Sequence, residues 1–446
     1  MSRRPRIATT AAVGVLIVTL AAGAALAAGP TVRARAANST GCSDPYSSQR
    51  NPDNPLMLAT APGASNPLRG ASFFVDGPTH GAAAGEIARL LGIDTTVPIG
   101  SFLPAFPDDE SWATFKNYVS GRLPQQSPGV ANNIRLLEKI ADEPEAQRFA
   151  SGDEGGSPAG IADFARKLFC HNFTADPGTI PIITTYFLHP VLGGCPTTSQ
   201  IDAYMPLFKQ RINAVVAGTG NRPAVYLLEL DGVGSSGCIS KIGSMPAWEA
   251  ALRYEVDQFA TLPHAVVYVE GGYSDANTPG YTARILNAIG IRRIQGFFTN
   301  DTHLNWTINE IRWGDKVSKL THGAHFVVNT AQNGNGPLLN PHPSSQGVED
   351  LCNPPGRALG PKPTTDTGFA HVDALLWTHV PGNSSGCGGG PPAGIFWPAR
   401  RGTRRAREQP ARTEVPERPL LVLAPLPLQA ARQPRCDVAP RASWYH

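Results

Sequence analysis

The segment VYLLELDGVGSSGC, residues 225–238, joins an apolar run to carboxylates and glycines at spacings that two kinds of chemistry use. Three glycines form the pattern G-x-G-x-x-G: Gly232, Gly234 and Gly237. Behind an apolar strand, this pattern is typical of a loop that binds a dinucleotide phosphate. Glu229 and Asp231 are, alternatively, carboxylates at the end of a barrel strand, where they could serve acid catalysis.

Polar side chains also follow later apolar runs, at the points where strands are expected to end. Those residues are Glu270, Tyr273, Asn300, Asp301, His303 and Asn329. Because the carboxyl ends of barrel strands converge on one mouth, we expect these side chains to lie close to Asp231. For each residue taken alone, a role as a loop cap or turn residue is the alternative.

The elements that would position these residues alternate along the chain. Short β-branched or aromatic runs are predicted as strands: SFFVD, PIITTYFL, AVYLLEL, AVVYVEGG, IQGFFTN, AHFVVNTA and DALLWTHV. Helical patterns separate them, such as TSQIDAYMPLFKQRINAVVAG, PAWEAALRYEVDQFATL and LNWTINEIRWGDKVSKL. This alternation predicts an α/β fold in which a parallel sheet, covered by helices, closes into a barrel.

The N-terminal region has the composition of an export signal. Residues 1–36 contain early arginines, a long Ala/Leu/Val/Ile run and small-residue sites that end at Ala27 and Ala36. An uncleaved membrane anchor is the alternative. Residues 37–65, rich in Ser, Asn, Pro and Gly, are predicted to be a linker or N-terminal arm. We therefore expect a secreted, extracellular protein that has no membrane association after cleavage.

The C-terminal region, residues 399–446, is an Arg/Pro/Ala/Leu mixture without helical or strand periodicity. We interpret it as the product of a frameshift near Pro398, and a disordered basic tail is the alternative. The tail holds ten Arg against four acidic residues, and the segment before Ala37 holds five Arg and no acid. The part between these ends is therefore acidic overall, which gives no indication of a nucleic-acid surface.

A dinucleotide loop requires a helix that starts inside the glycine motif, so that its first N–H groups face the pyrophosphate. Here the glycines run into CISKIGSMP, and the next helix is predicted to begin only near Met245. An exported protein also rarely meets a soluble nicotinamide cofactor. We therefore favour the catalytic carboxylates and expect no cofactor.

Other reaction classes lack their motifs in this chain. Four histidines could suggest a metal site, but they lack ligand spacing such as H-E-x-x-H: His189, His303, His322 and His325. We expect them to be structural or solvent-facing, and we expect no metal. Ser235 and Ser236 do not form the G-x-S-x-G turn of a serine esterase.

Several segments resemble the motifs of one known family. These are LLELD followed by a cysteine, NPLRGASFFVD, GFFTN, HFVVNTAQNGNGP, LCNPPGRALGPKPTTDTG and VDALLWTHVPG. LLELD is similar to the EPD acid segment of glycoside hydrolase family 6, the cellobiohydrolases and endoglucanases that cut β-1,4-glucans with inversion. The resemblance covers residues 66–398. It implies a distorted seven-stranded parallel β/α barrel, with Asp231 as the general acid.

The resemblance also implies a pairing of the cysteines. Two bridges are implied, Cys195 with Cys238 and Cys352 with Cys387. Cys42 and Cys170 are left as candidates for a third bridge, and Cys436 is left over. Export makes such disulfides chemically feasible.

The chain departs from the family at positions that matter for catalysis. The Asp before the first bridge cysteine is Gly194 here, and the acidic motif GESDG reads GNSSG, with Asn383 and Ser385 at its acidic positions. Four further positions differ: Glu270 replaces an Asp, Tyr273 a His, His379 a Lys and Leu351 a Trp. Since neither Asn nor Ser can act as a carboxylate base, the base is left unassigned.

Three functions remain open. The first, which we favour, is an active hydrolase of a divergent branch, with Asp231 as the acid. A water chain, or one of Glu270, Asp275 and Asp301, would then handle the nucleophilic water. The second is a barrel that binds polysaccharide without efficient hydrolysis. The third is an unrelated exported barrel enzyme or a structural domain. A carboxylate across the cleft from Asp231, at inverting distance, would separate the first two.

A glycan cleft needs aromatic platforms for the apolar faces of the sugars and polar groups for their hydroxyls. The aromatic candidates are Tyr186, Tyr273, Trp306, Trp313 and Trp377, and core packing is the alternative for each. The candidate hydroxyl binders are Asn300, His303, Asn329, Asp366 and His379. We expect a polysaccharide substrate, with β-1,4-glucan as the first choice, and a monomeric protein.

Overall fold

The computed structural model describes residues 65–78, 81–93, 111–150, 157–337, 353–386 and 389–398. The predicted signal peptide, nearly all of the predicted linker and the tail from residue 399 lie outside these residues. Within the described part of the chain, no helix combines the length and the apolar character needed to cross a bilayer.

Seven parallel strands form one sheet, in which neighbours in space are neighbours in sequence. The strands are β1 Gln147–Ala150, β2 Ile182–Tyr186, β3 Ala224–Leu228, β4 Ala265–Glu270, β5 Gly296–Thr299, β6 His325–Asn329 and β7 Val372–Leu376. The two edges of the sheet meet, because the Ala146 N–H donates to the Trp377 carbonyl at 3.0 Å. The sheet is therefore curled into the distorted barrel that the sequence predicted.

Helices connect the strands and cover the outside of the sheet. They are α1 Ala82–Leu90, α2 Trp112–Arg122, α3 Pro128–Ala141, α4 Pro158–Ala175, α5 His189–Leu192, α6 Thr198–Thr219, α7 Gly237–Lys241, α8 Met245–Phe259, α9 Pro279–Ile289 and α10 Thr307–Leu320. Local sequence explains where several begin. Helix α6, for example, starts at a reciprocal capping box in which Thr197 and Gln200 each bond the other's backbone N–H.

Alternate residues of the strands face two different cores. In β3, Tyr226 and Leu228 pack outward against the helices, whereas Val225 and Leu227 point into the barrel interior. Every residue of β3 is buried, as expected for a parallel strand covered on both faces. The strands therefore form a rigid frame whose carboxyl ends can hold a site.

The amino-terminal end of the barrel is filled by a polar network around Asp373 of β7. Its carboxylate accepts hydrogen bonds from Tyr268 at 2.7 Å and from Gln295 at 2.8 Å, and it contacts His325 Nδ1 at 2.7 Å. The prediction that His325 is structural is consistent with this buried position, and His322 is exposed.

One predicted strand is wrong, and one strand was missed. SFFVD forms only an isolated bridge from Phe73 to Ile180 and another from Asp76 to Ser111. Phe73 packs into the core inside the barrel, so its apolar character reflects burial there and not pairing in a strand. The missed strand β1 is short, and its first two residues are only half-buried, which leaves little periodicity for a sequence pattern to show.

Candidate active site

The carboxyl ends of strands β2 to β5 bring together the side chains that the sequence singled out. Tyr186 ends β2, Asp231 follows β3, and Tyr273 follows β4. Asp301 and His303 follow β5. The structure thus places these residues around one mouth, as parallel barrel strands require.

The two carboxylate oxygens of Asp231 differ in their hydrogen bonds. Its Oδ1 accepts a hydrogen bond from Thr302 Oγ1 at 2.9 Å and a short one from the Tyr273 hydroxyl. Its Oδ2 makes no hydrogen bond to any described residue, and the side chain is half-buried. Oδ2 is therefore the oxygen that is left without a hydrogen bond to the described residues.

Glu229, the other carboxylate of the ELD motif, is a structural anchor. It is fully buried, and its two oxygens accept the backbone N–H groups of Phe187 at 2.8 Å and Leu188 at 3.0 Å. Burial raises the pKa of Glu229 to about 7, against the lowering effect of these two bonds. Glu229 thus ties the end of β2 to the end of β3 and holds Asp231 in place.

The backbone N–H groups of the glycine motif do bind an acidic group, and that group is the side-chain carboxyl of Glu270. Glu270 accepts the N–H groups of Val233 at 2.6 Å, Gly234 at 2.7 Å and Gly272 at 2.5 Å. It has no exposed surface, and burial, followed by the charge of Asp231, raises its pKa to about 8. The proposal that Glu270 activates the nucleophilic water is therefore not supported by its position.

The glycines also allow close packing. A Cβ at Gly234 would lie 2.3 Å from the Tyr273 ring, and a Cβ at Gly232 would lie 2.8 Å from the Glu229 carbonyl. A helix does begin at Gly237, earlier than predicted, but α7 is only five residues long. The glycine spacing is thus explained by contacts around the acid and not by a phosphate.

Tyr273, His303 and Asp275 form a stacked group beside the acid. The rings of Tyr273 and His303 are 3.7 Å apart, with 10° between their planes. His303 Nδ1 lies 2.8 Å from Asp275 Oδ1. The Tyr273 hydroxyl reaches Asp231, so the three side chains and the acid are physically connected.

Asp301 lies behind the acid and not in the open mouth. It is 1% exposed, its Oδ1 accepts from Thr378 Oγ1 at 3.1 Å, and its Oδ2 is buried without a hydrogen-bond partner. Burial, then the charges of Asp231 and Glu270, raise the pKa of Asp301 well above its ordinary value.

Two predicted sugar binders use their side-chain amides to bond the protein backbone. The amide of Asn300 bonds the carbonyls of Asn305 and Asn329, and its oxygen accepts the Asn305 N–H. The amide of Asn329 bonds the Asn300 and Asp301 carbonyls, and its oxygen accepts two backbone N–H groups. Both side chains are buried, so the prediction that they bind hydroxyls is wrong.

The predicted aromatic platforms divide into buried and accessible groups. Trp377 has no exposed surface and donates its indole N–H to the Pro361 carbonyl, and Trp313 is buried with its N–H on Asn277. Neither can stack on a sugar. Tyr186 is half-buried, and its pKa is raised by burial and then by Asp231 and Asp301. Trp306 is half-buried as well, and its indole faces Gly336.

Two further predicted binders make no contact with Asp231. His379 is half-buried and lies 2.5 Å from the amide nitrogen of Gln332. Asp366 is exposed, and its backbone N–H bonds Thr364 Oγ1. Thr302, which the sequence did not single out, contacts the acid directly, and its position between Asp301 and His303 was the only available signal.

One implied disulfide is present, between Cys195 and Cys238, with 5.4 Å between the Cα atoms. It joins the loops that follow β2 and β3. Cys170 is also disulfide-bonded. Its suggested partner Cys42 lies outside the described residues, as does the implied Cys352–Cys387 pair.

The family's other acidic positions carry no carboxylate in this chain. Gly194 is exposed next to Cys195, and Ser385 is exposed with its N–H on Asn353 Oδ1 at 2.8 Å. The carboxylates near Asp231 in the described part of the chain are therefore the buried Glu229, Glu270 and Asp301, with Asp275 reaching it through His303 and Tyr273.

Comparison with known proteins agrees with this geometry. The sequence model of the family "Glycosyl hydrolases family 6" matches residues 193–401. Endoglucanase 1 of Streptomyces halstedii is 31% identical over 290 residues, which cover 61% of this chain and 81% of that relative. The chain belongs to glycosyl hydrolase family 6. The resemblance inferred from the motifs around Asp231 is thereby confirmed.

Other relatives of this family 6 chain are longer or structurally known. Endoglucanase A of Cellulomonas fimi is 30% identical over 264 residues, 59% of this chain and 54% of that relative, so the match spans about half of its length. The endoglucanase Cel6 from Mycobacterium tuberculosis, solved with methyl-cellobiosyl-4-deoxy-4-thio-β-D-cellobioside, gives a TM-score of 0.58 at 27% identity. That alignment covers 75% of this chain and 97% of the Cel6 chain.

Proposed function

We propose that this protein is a secreted glycoside hydrolase that cuts β-1,4-glucan chains with inversion, using Asp231 as the general acid. The observation that carries the proposal is the half-buried carboxylate of Asp231 at the carboxyl end of β3, held through Oδ1 by two hydroxyls while Oδ2 has no hydrogen bond to a described residue. Family membership supports the substrate class, since the relatives named above are endoglucanases. The bound thio-oligosaccharide of the tuberculosis protein supports it as well.

The proposed role of Asp231 is to give its Oδ2 proton to the oxygen of the leaving sugar. A water attacks the anomeric carbon from the opposite face, which inverts the configuration. The hydroxyls of Tyr273 and Thr302 fix the carboxyl orientation through Oδ1, so the proton has one productive direction. Tyr186, at the end of β2, supplies an accessible ring beside the acid for the apolar face of a sugar.

The test compares wild-type full-length protein with Asp231→Asn on a soluble β-1,4-glucan, measured as reducing ends released. General acid catalysis typically contributes on the order of 100- to 10,000-fold, so the variant should lose at least that lower factor in kcat. Asp202→Asn is the matched control, because Asp202 is exposed on α6. Activity retained by Asp231→Asn would contradict the assignment.

The absence of carboxylates at Gly194 and Ser385 favours a second candidate, a barrel that binds glucan chains without hydrolysing them. This alternative gives a different pattern in the same experiment. Wild-type protein would then bind cello-oligosaccharides in calorimetry and release no reducing ends.

A further inference from the structure

The Asp275–His303 pair has the construction of an oriented base. Asp275 Oδ1 contacts His303 Nδ1 at 2.8 Å, which fixes the ring and leaves Nε2 as its other nitrogen. Nε2 makes no hydrogen bond to any described residue, and the histidine side chain is 12% exposed. The residue before it, Thr302, is exposed and bonds the acid. His303 therefore lies in the same loop as a direct ligand of Asp231, at the mouth.

The Tyr273 ring spaces this pair from the acid. Tyr273 contacts Asp231 through its hydroxyl end, and His303 stacks on its face at 3.7 Å. Inverting glycosidases hold the acid and the base about 6.5 to 9.5 Å apart, so that a water fits between the base and the sugar. The Tyr273 side chain is the group through which His303 and Asp231 are connected, because its hydroxyl contacts the acid and its ring stacks on the histidine.

Competing groups are less able to take a proton from water. The Glu270 carboxyl accepts hydrogen bonds from three backbone N–H groups, and the side chain has no exposed surface. Asp301 is 1% exposed, and its Oδ1 already accepts a hydrogen bond from Thr378 Oγ1, so it offers little access to a water molecule. Position 385 carries a serine.

We propose that His303, oriented by Asp275, is the general base of this site and replaces the carboxylate that Ser385 lacks. This inference rests on the proposed function. His303 Nε2 takes a proton from water as the water oxygen bonds to the anomeric carbon. The glycosidic C–O bond breaks, and Asp231 Oδ2 gives its proton to the leaving oxygen. His303 then releases its proton to solvent and Asp231 regains one, which restores both groups.

The decisive variant is His303→Phe, which keeps an aromatic ring against Tyr273 and removes the nitrogen. The control is His371→Phe, because His371 also faces an aspartate, Asp315 at 3.7 Å, but precedes β7 at the opposite end of the barrel. Substrates are a soluble β-1,4-glucan and a dinitrophenyl β-cellobioside. The aryl group leaves without protonation, so the second substrate needs the base but not the acid.

We expect kcat of His303→Phe to fall at least about 100-fold on both substrates. Asp231→Asn should lose activity on the glucan but keep it on the aryl substrate, which needs no acid. The affinity of His303→Phe for cello-oligosaccharides should be unchanged. Should that variant not fold, Asp275→Asn is used, with about a tenfold loss expected on both substrates.

Activity of His303→Phe within about threefold of wild type on the aryl substrate would overturn the inference, since loss of base catalysis costs more. Normal activity of Asp275→Asn would overturn the orienting role of Asp275. A wild-type protein that hydrolyses neither substrate would contradict the proposed function, and this inference with it. An active wild type with an active His303→Phe contradicts this inference alone.

Discussion

At the scale of single residues, the site is built on backbone conformations that most side chains avoid. Glu229, Asp231 and Asn300 have φ values of 47°, 62° and 64°. Such conformations cost of order 1–3 kcal/mol each and persist only when the surroundings hold them. Here buried hydrogen bonds hold Glu229 and Asn300, and these two residues flank the acid and the Asp301–His303 loop. The strain is therefore concentrated where the proposed chemistry occurs.

Gly234→Ala tests whether the Tyr273 ring must approach the glycine loop. The added Cβ would lie 2.3 Å from the ring, so the tyrosine must move away from Asp231. We expect kcat on soluble glucan to fall by on the order of 100-fold, as misplacement of a catalytic group by about 1 Å does. Gly237→Ala is the matched control, because nothing lies within 4 Å of a Cβ there. Equal activity of the two variants would contradict this role.

At the scale of elements, the loops after β2 and β3 act as one unit. The Cys195–Cys238 bridge joins them covalently, and Glu229 joins them through the Phe187 and Leu188 N–H groups. The segment that carries Asp231 is thus held by the end of β2, and its side chain is held by Tyr273 after β4 and Thr302 after β5.

Removing this bridge by Cys195→Ser with Cys238→Ser should lower the free energy of unfolding. The bridge spans 43 residues, and the chain-entropy relation gives about 4 kcal/mol for a loop of that length. Urea unfolding measures the change, with Ser240→Ala, an exposed position on α7, as the control. Equal midpoints for the double variant and the control would show that the bridge does not stabilise the fold.

The sequence could predict six of the seven strands and the place of Asp231 at a strand end because both leave local signals. Buried parallel strands are near-continuous apolar runs, and Asp231 stands directly after one of them. It could not predict that Asn300 and Asn329 turn inward, because polar residues at strand ends look the same whether they bind backbone or sugar. Trp377 was misjudged for a similar reason, since only the packing of α1–α3 shows it to be buried.

At the scale of the whole molecule, several carboxyl groups are buried in and behind the barrel mouth. Glu255 touches the same Thr185 that bonds the Glu229 backbone, and its Oε2 has no hydrogen-bond partner. Burial and the charge of Glu229 raise the pKa of Glu255 well above its ordinary value. With Glu229, Glu270 and Asp301, these groups bind protons more tightly in the folded than in the unfolded chain.

The folded protein should therefore be most stable in mildly acidic solution. A raised folded-state pKa gives stability that is complete below the unfolded value and lost as pH rises through the folded value. For Glu229 and Glu270 that window runs from their ordinary 4.5 to about 7 and 8. We expect the free energy of unfolding to fall by on the order of 6 kcal/mol between pH 5 and pH 8, about 2.5 kcal/mol from Glu229 and about 3.5 kcal/mol from Glu270.

Urea unfolding at several pH values measures this slope, and Glu255→Gln should flatten it, because the amide resembles the protonated acid. The exposed Asp202→Asn serves as the control and should leave the slope unchanged. Stability that rises from pH 5 to pH 8 would contradict the raised pKa values.

The most direct test of the central claim is the anomeric configuration of the first product, followed by proton NMR during hydrolysis of a soluble cello-oligosaccharide. A family 6 enzyme that works by single displacement, with Asp231 as acid, should release the α-anomer first, and Asp231→Asn should release it far more slowly. First appearance of the β-anomer would indicate a retaining double displacement, and it would contradict both the acid–water mechanism and the base assigned to His303.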